Sequence, residues 1–250
     1  MGDTRFSHLL ATTSFAMSEY FPFIKNSEVM EFLGYQGLLA LSADFDVLQF
    51  DDRLFDDFSC DFISEVLNSV NKRKAEYLAG RVMAMKGLEL LGSSEFQVNI
   101  GKHLAPVWPA GYLGSITHIS QKVIAVVARK KQYNYIGIDC ENIFGQDVFG
   151  EIEGMIVNFA EVAYLSRVDV PMVKLMTLVF SAKETFFKAV YPYVLHYFDF
   201  YAVEIIEISL EKQTFTLMIC KDLTPFLKRK MEFDGIFIFD SNTVLTAIFC

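Results

Sequence analysis

The chain has 250 residues, with 52% hydrophobic residues, 25 phenylalanines, only six prolines and a net charge of −9. This is enough to bury one large core or two smaller ones, and the composition excludes a disordered chain. The acidic balance argues against a nucleic-acid binder, so any anionic ligand has to be held by a local basic cluster. No apolar run approaches the roughly 18–20 residues needed to span a bilayer. The start, MGDTRFSHLL, lacks a clean signal-peptide layout, so the expectation is a cytoplasmic protein with no transmembrane segment. Four cysteines at 60, 140, 220 and 250 form no CxxC pair and are expected to be reduced thiols.

The first 70 residues are apolar segments broken by acids: Asp44, Asp46, Asp51, Asp52, Asp56, Asp57 and Asp61. A solvated acidic surface explains that stretch. Asn71 is the expected N-cap of a helix running to about Leu91, stopped by Gly92. Ala75, Leu78, Val82 and Met85 recur at helical spacing and should face the core. A turn-rich loop follows from Gly101 to Gly114, and Ser115–His118 then leads into a buried strand, Val123–Ala128. The next expected strand is Tyr135–Cys140. Helices follow near 153–167 and 175–191, then strands near 202–210, 214–219, 235–239 and 244–249. Helices mixed with mostly antiparallel strands in both halves predict an α+β fold of two lobes, residues 1–133 and 134–250.

Four segments carry candidate chemistry. In GIDCE (137–141), a strand's period of two puts Asp139 and Glu141 on one face, where a hard dication such as Mg²⁺ relieves their repulsion. A solvent-facing strand end is the ordinary alternative. In FSAKETFFK (180–188), Glu184 and Lys188 are helical i,i+4 neighbours, which a plain surface ion pair also explains. Glu184 suits a third metal carboxylate, and Lys183 and Lys188 bring positive charge for a metal-bound pyrophosphate. Lys72, Arg73 and Lys74 open the first long helix, where basic residues are unfavourable for the dipole, and Arg81 follows. Arg73 and Arg81 can serve a phosphate. Thr117 and His118, after glycine-permitted turns, are candidate donors to the same group. His8, His103 and His196 have no metal-binding spacing.

Taken together and in order, KRKAEYLAGR (72–81), PVWPAGYLGSITH (106–118), GIDCE (137–141) and FSAKETFFKAVYP (180–192) resemble the surfactin- and enterobactin-type 4'-phosphopantetheinyl transferases, the enterobactin-type branch most closely. The resemblance covers about residues 72 to 192. It implies two α+β lobes in a pseudo-twofold arrangement, with coenzyme A as co-substrate in the cleft between them, in a chain that works as a monomer. It implies Asp139, Glu141 and Glu184 as Mg²⁺ ligands and Arg73, Arg81, Thr117 and His118 at the 3'-phosphate and adenine end. Lys183 and Lys188 would sit at the pyrophosphate. Lys102 stands nearest to a further basic position of the family. Glu184 would be the general base and Lys188 would steady the transferred phosphate. The implied reaction moves phosphopantetheine to a serine of an apo carrier protein or carrier domain of a nonribosomal peptide, polyketide or fatty-acid synthase, most closely for siderophore assembly. The aromatic stretch 186–201 is a candidate docking surface, although core packing explains most of it. A Mg²⁺-dependent nucleotide pyrophosphohydrolase would use similar groups, but a Walker-type glycine loop is missing. A non-catalytic module that binds carrier proteins would not need all three carboxylates.

Overall fold

The computed structural model describes residues 9–15, 22–62, 64–145 and 154–250. The chain divides into two compact units, Met1–Asn134 and Tyr135–Cys250. His8 and Glu153, the first residue of the helix expected near 153–167, lie outside the described residues.

In the first unit the strands are β1 (Leu10–Ser14), β2 (Ile24–Phe32), β3 (Leu38–Phe45), β6 (Tyr112–Ile119) and β7 (Lys122–Arg129). They form an antiparallel sheet in the order β1-β2-β3-β7-β6. Two short helices, α1 (Leu54–Asp57) and α2 (Ser64–Leu67), precede the long α3 (Asn71–Leu90). A small hairpin pairs β4 (Asn99–Ile100) with β5 (Pro106–Val107). Asn71 is the first helical residue rather than the cap. Extended Val70 takes the cap position and gives no side-chain bond. Gly92, at φ 76°, ends α3 as expected, and Ser93 N–H returns to the Leu88 carbonyl. Ala75, Leu78 and Val82 are buried, and Met85 packs against the same core. Each fully buried large apolar side chain contributes about 1.5–3 kcal/mol.

The acids of the first segment are solvated at 51, 52, 56, 57 and 61, over a floor of Phe23, Phe45, Phe50 and Phe55. Several also hold the unit together. Both oxygens of Asp52 accept from Lys74 at 3.0 Å. Asp44 accepts from Asn26, and Asp46 from Lys25.

In the second unit β8 (Ile136–Asn142) lies at one edge of an antiparallel sheet ordered β8-β12-β11-β10-β9. The other strands are β9 (Val203–Ser209), β10 (Thr214–Ile219), β11 (Glu232–Phe239) and β12 (Thr243–Phe249). Helix α4 (Phe159–Leu165) starts with a reciprocal cap, in which Asn158 accepts from Glu161 N–H and Glu161 accepts from Asn158 N–H. Helix α5 (Met172–Val194) packs on the sheet, and Leu175, Leu178, Val179, Phe186 and Val190 are all fully buried. The approach of α5 to β8 is set by Gly137: a Cβ there would stand 2.0 Å from the Thr185 carbonyl oxygen. Gly137→Ala is expected to push the helix off the strand and to cost about 1–3 kcal/mol, as overpacking does, read as a lowered thermal unfolding midpoint. An unchanged midpoint would show that the helix can yield without loss.

All four cysteines are free thiols. Burial pushes the Cys60 thiol up to about 12, which makes it unreactive. Among the described residues, no helix is long and apolar enough to cross a membrane.

Candidate functional site

Two clusters gather most of the residues singled out by sequence. The first is in the second unit, where β8 meets α5. Asp139 is 3% exposed, on the strand face that α5 covers. Lys188 Nζ donates to Asp139 Oδ1 at 2.7 Å and to the Ile138 carbonyl at 3.3 Å. Ser181 Oγ donates to Asp139 Oδ2 at 2.9 Å. Glu141 lies two residues along the same strand face, and Glu184 one helical turn before Lys188.

The electrostatics of this cluster are those of crowded anions. Burial pushes the Glu141 carboxyl up to about 7; Asp139 and Glu184 add to the rise and Lys188 opposes it. Burial also raises Glu184, with Lys188 lowering it and Asp139 raising it further. Three carboxylates and one ammonium therefore share a partly desolvated corner. Among the described residues, no three His, Cys, Asp or Glu side chains already converge tightly enough to chelate a metal ion. Lys188 forms an ion pair with Asp139. The donor set still suits a hard dication, because it offers only carboxylate oxygens and their mutual repulsion is what such an ion would lift.

Lys183 does not join this cluster. It lies two residues from Ser181, about 200° round the helix, and points into the opposite packing layer. It is 1% exposed, and its Nζ donates to Glu161 Oε2 at 2.9 Å, the Ile156 carbonyl at 2.7 Å and the Phe200 carbonyl at 3.2 Å. Its other contact, Glu161 Oε1 at 2.8 Å, also accepts from Ile205 N–H. Desolvation lowers the Lys183 pKa, and Glu161 works against that. The expected contact with a pyrophosphate does not fit this placement: Lys183 clips α5 to α4 and to the 3-10 turn Phe200–Ala202 that precedes β9.

The second cluster is in the first unit. Arg73 Nη1 lies 3.0 Å from His118 Nε2 and 3.5 Å from Glu76 Oε2. An arginine can only donate, so His118 Nε2 is the acceptor in that contact. The same nitrogen lies 3.7 Å from Glu76 Oε2. Lys72 approaches the other Glu76 oxygen at 4.0 Å. Helix α3 supplies Lys72, Arg73 and Glu76, and β6 supplies His118. Arg81 is not part of this group. It is 4% exposed, its guanidinium lies 5.0 Å from the Tyr77 ring centroid, and its Nη1 has no hydrogen-bond partner among the described residues. Lys74 is held by Asp52. Thr117 is buried on the face of β6 opposite to His118, by strand alternation. Lys102 is exposed in the 3-10 turn between β4 and β5. Of the aromatic stretch, Phe186 belongs to the core, while Tyr193, Leu195, Tyr197 and Tyr201 are exposed.

Sequence reading missed Glu76, Glu161, Ser181, Thr185 and Thr246. Glu76 carried a signal, standing four residues after Lys72 and three after Arg73. Glu161 carried one through the N-x-x-E capping pattern from Asn158. The hydroxyls carried none.

The family model of the 4'-phosphopantetheinyl transferase N-terminal domain matches residues 64–128, and that of the 4'-phosphopantetheinyl transferase superfamily matches residues 135–234. The chain is 31% identical over 188 residues to 4'-phosphopantetheinyl transferase Svp of Streptomyces mobaraensis, covering 74% of this chain and 75% of that protein. The chain belongs to the 4'-phosphopantetheinyl transferase superfamily. It is also 38% identical over 126 residues to enterobactin synthase component D of Escherichia coli K12, covering 50% of this chain and 59% of that protein. To the protein of the same name from Salmonella typhi it is 37% identical over 118 residues, 47% and 48% of the two chains. The matched segments thus span about half the length of these enterobactin synthase relatives. The superfamily match takes in both β8 and α5, which hold the carboxylate cluster, and the N-terminal match takes in α3 and β6.

Proposed function

We propose that the protein transfers the 4'-phosphopantetheine group of coenzyme A to a serine of an apo carrier protein and releases 3',5'-ADP. The observation that carries this reading is the corner where Asp139, Glu141 and Glu184 meet Lys188 inside a chain of this superfamily. Asp139, Glu141 and Glu184 would hold Mg²⁺, and the ion would supply charge neutralisation to a pyrophosphate. The carrier serine Oγ attacks the phosphorus bonded to the pantetheine oxygen. The bond from that phosphorus to the oxygen bridging to 3',5'-ADP breaks, and the serine proton passes to Glu184. A carboxylate raised by burial is a stronger base than one in water, which supports that role. Lys188 steadies negative charge on the transferred group.

In the first unit, Arg73 and His118 are the proposed grip for the 3'-phosphate. Arg81 Nη1, buried and without a hydrogen-bond partner among the described residues, supports an anion near it, because an unsatisfied buried donor costs about 1–3 kcal/mol. Lys102 and Thr117 are assigned to that end by resemblance alone, and Lys183 is left out. The names of the relatives from Escherichia coli and Salmonella support a carrier of siderophore or other nonribosomal peptide assembly. Mg²⁺ as the metal rests on the all-carboxylate donor set, and the cytoplasm as the compartment on the sequence reading alone.

The test is to incubate the protein with coenzyme A, Mg²⁺ and apo carrier proteins, then weigh the carriers. The expected result is a carrier heavier by one phosphopantetheine, and none with Asp139→Asn. Unmodified carriers from several synthase classes would overturn the reading, and phosphopantetheine released from coenzyme A without a carrier would replace it with hydrolysis.

A further inference from the structure

Behind Asp139 stands a file of three hydroxyls. Ser181 Oγ donates to Asp139 Oδ2 at 2.9 Å and lies 2.8 Å from Thr246 Oγ1. Thr246 Oγ1 lies 2.6 Å from Thr185 Oγ1, which also approaches the Thr246 carbonyl at 3.3 Å. All three residues are 0% exposed. Ser181 and Thr185 are one turn apart on α5, and Thr246 is the cross-strand partner of Asp139 on β12.

Ser181 spends its one proton on Asp139 Oδ2, which leaves its oxygen to accept from Thr246 Oγ1. Thr185 has one proton to share between Thr246 Oγ1 and the Thr246 carbonyl. The hydroxyls thus form a connected file that ends on Asp139, each bond strengthening the next. This is not the usual habit of a helical hydroxyl. Thr177, on the same helix, bonds back to the Val173 carbonyl at 2.8 Å. Ser181 and Thr185 turn instead toward the strands. Buried hydroxyls with an incomplete set of partners are costly. A file that is complete only because it ends on a carboxylate ties its three members to that carboxylate.

We infer that Thr246, with Ser181 and Thr185, is a positioning residue for the carboxylate cluster. The file holds Oδ2 against α5 and so fixes the side-chain rotation that turns Oδ1 toward Lys188. The inference rests on the reading that Asp139 would be a cation ligand, and the file fixes the carboxylate that would hold the ion. Thr246 lies outside every motif that pointed to the family, and beyond the residues 135–234 that match the superfamily. It acts on the ion only through Ser181 and Asp139. Partners of this kind commonly set metal affinity by ten- to a hundredfold.

The test uses the full-length chain and Mn²⁺, with free Mn²⁺ followed by electron paramagnetic resonance and unfolding followed by circular dichroism. Thr246→Val removes the hydroxyl but keeps the shape. It is expected to weaken Mn²⁺ binding about tenfold or more. Thr246→Ser is expected to restore it. Ser181→Ala should weaken binding as well, and it supplies the answer should the valine variant fail to fold. Unchanged Mn²⁺ affinity in a folded Thr246→Val or Ser181→Ala chain overturns the inference, whatever the unfolding midpoint does. An Asp139→Asn control separates the two claims. If that variant binds Mn²⁺ as tightly as the wild type, the ligand reading has failed and the inference falls with it. If only Asp139→Asn weakens binding, the ligand reading stands and the inference alone is lost.

Discussion

A chain carrying Lys183→Ala is expected to lose about 3–5 kcal/mol of stability, the usual consequence of removing one partner from a buried ion pair. Glu161 would be left 2% exposed, keeping only the backbone donors at Asn158 and Ile205. The carbonyls of Ile156 and Phe200 would each lose their ammonium donor. Whole domains are stable by only about 5–15 kcal/mol, so a large part of the margin would go. Urea denaturation of the variant should show an early transition. The folded fraction should keep its affinity for coenzyme A, because Lys183 points away from Asp139 and Lys188. A wild-type urea midpoint with a weakened coenzyme A affinity would reverse this assignment and put Lys183 at the pyrophosphate. Replacing both Lys183 and Glu161 by apolar residues of similar volume should recover much of the loss, since neither charge is then left unpaired.

Lys183 also marks where reading the chain stops being enough. Lys183 and Glu184 are neighbours in sequence, and adjacency suggested a common task. On a helix, adjacency means the reverse: neighbours are about 100° apart and meet different surroundings. The partner that claims Lys183 is 22 residues earlier, on another helix. Asp139 and Glu141 were legible because a strand's period brings i and i+2 to one face, and Glu184 with Lys188 because a helix brings i and i+4 together. Arg73 and Arg81 were not separable by such rules. Both sit on α3, yet one reaches His118 at the surface and the other lies beneath Tyr77. Ser181 and Thr246 are 65 residues apart, and no local pattern links two hydroxyls across that distance.

The fold shows the same division. Helix α3 and most of the second-unit strands announced themselves through periodicity and glycine stops. The strands β1, β2 and β3 did not. In β2 the alternation breaks where the register with β3 shifts between Lys25 and Glu28, and Asn26 there adopts φ 49°. In β3, LLALSADF is a short apolar run that suits a helix or a strand equally, and only its pairing with β2 and β7 decides. Of the acids read as solvated, those at 51, 52, 56, 57 and 61 are exposed, while Asp44 and Asp46 are half-buried. The use of Asp46, Asp44 and Asp52 as anchors for Lys25, Asn26 and Lys74 depends on contacts 18 to 22 residues away.

Glu184→Gln is expected to move stability and turnover in opposite directions. Burial and Asp139 together make the charged carboxylate unfavourable in the folded chain without a metal, which is what its raised pKa expresses. An amide of the same shape removes that penalty, so the metal-free variant should unfold at a temperature equal to or above that of the wild type. The same exchange removes both a proton acceptor and an oxygen anion from the site. Positioned general bases contribute about 10²–10⁴-fold, and transfer should fall by at least that range. Differential scanning calorimetry in chelator, with a carrier mass assay at saturating Mg²⁺ and coenzyme A, reads both effects on one preparation. A large fall in turnover with an undiminished midpoint would place the loss in the chemistry, as strained functional groups require. A turnover within a few-fold of wild type would remove Glu184 from the proposed mechanism. A midpoint that drops in parallel with turnover would mean that the carboxylate supports the fold, through Lys188, more than the crowding around it opposes it.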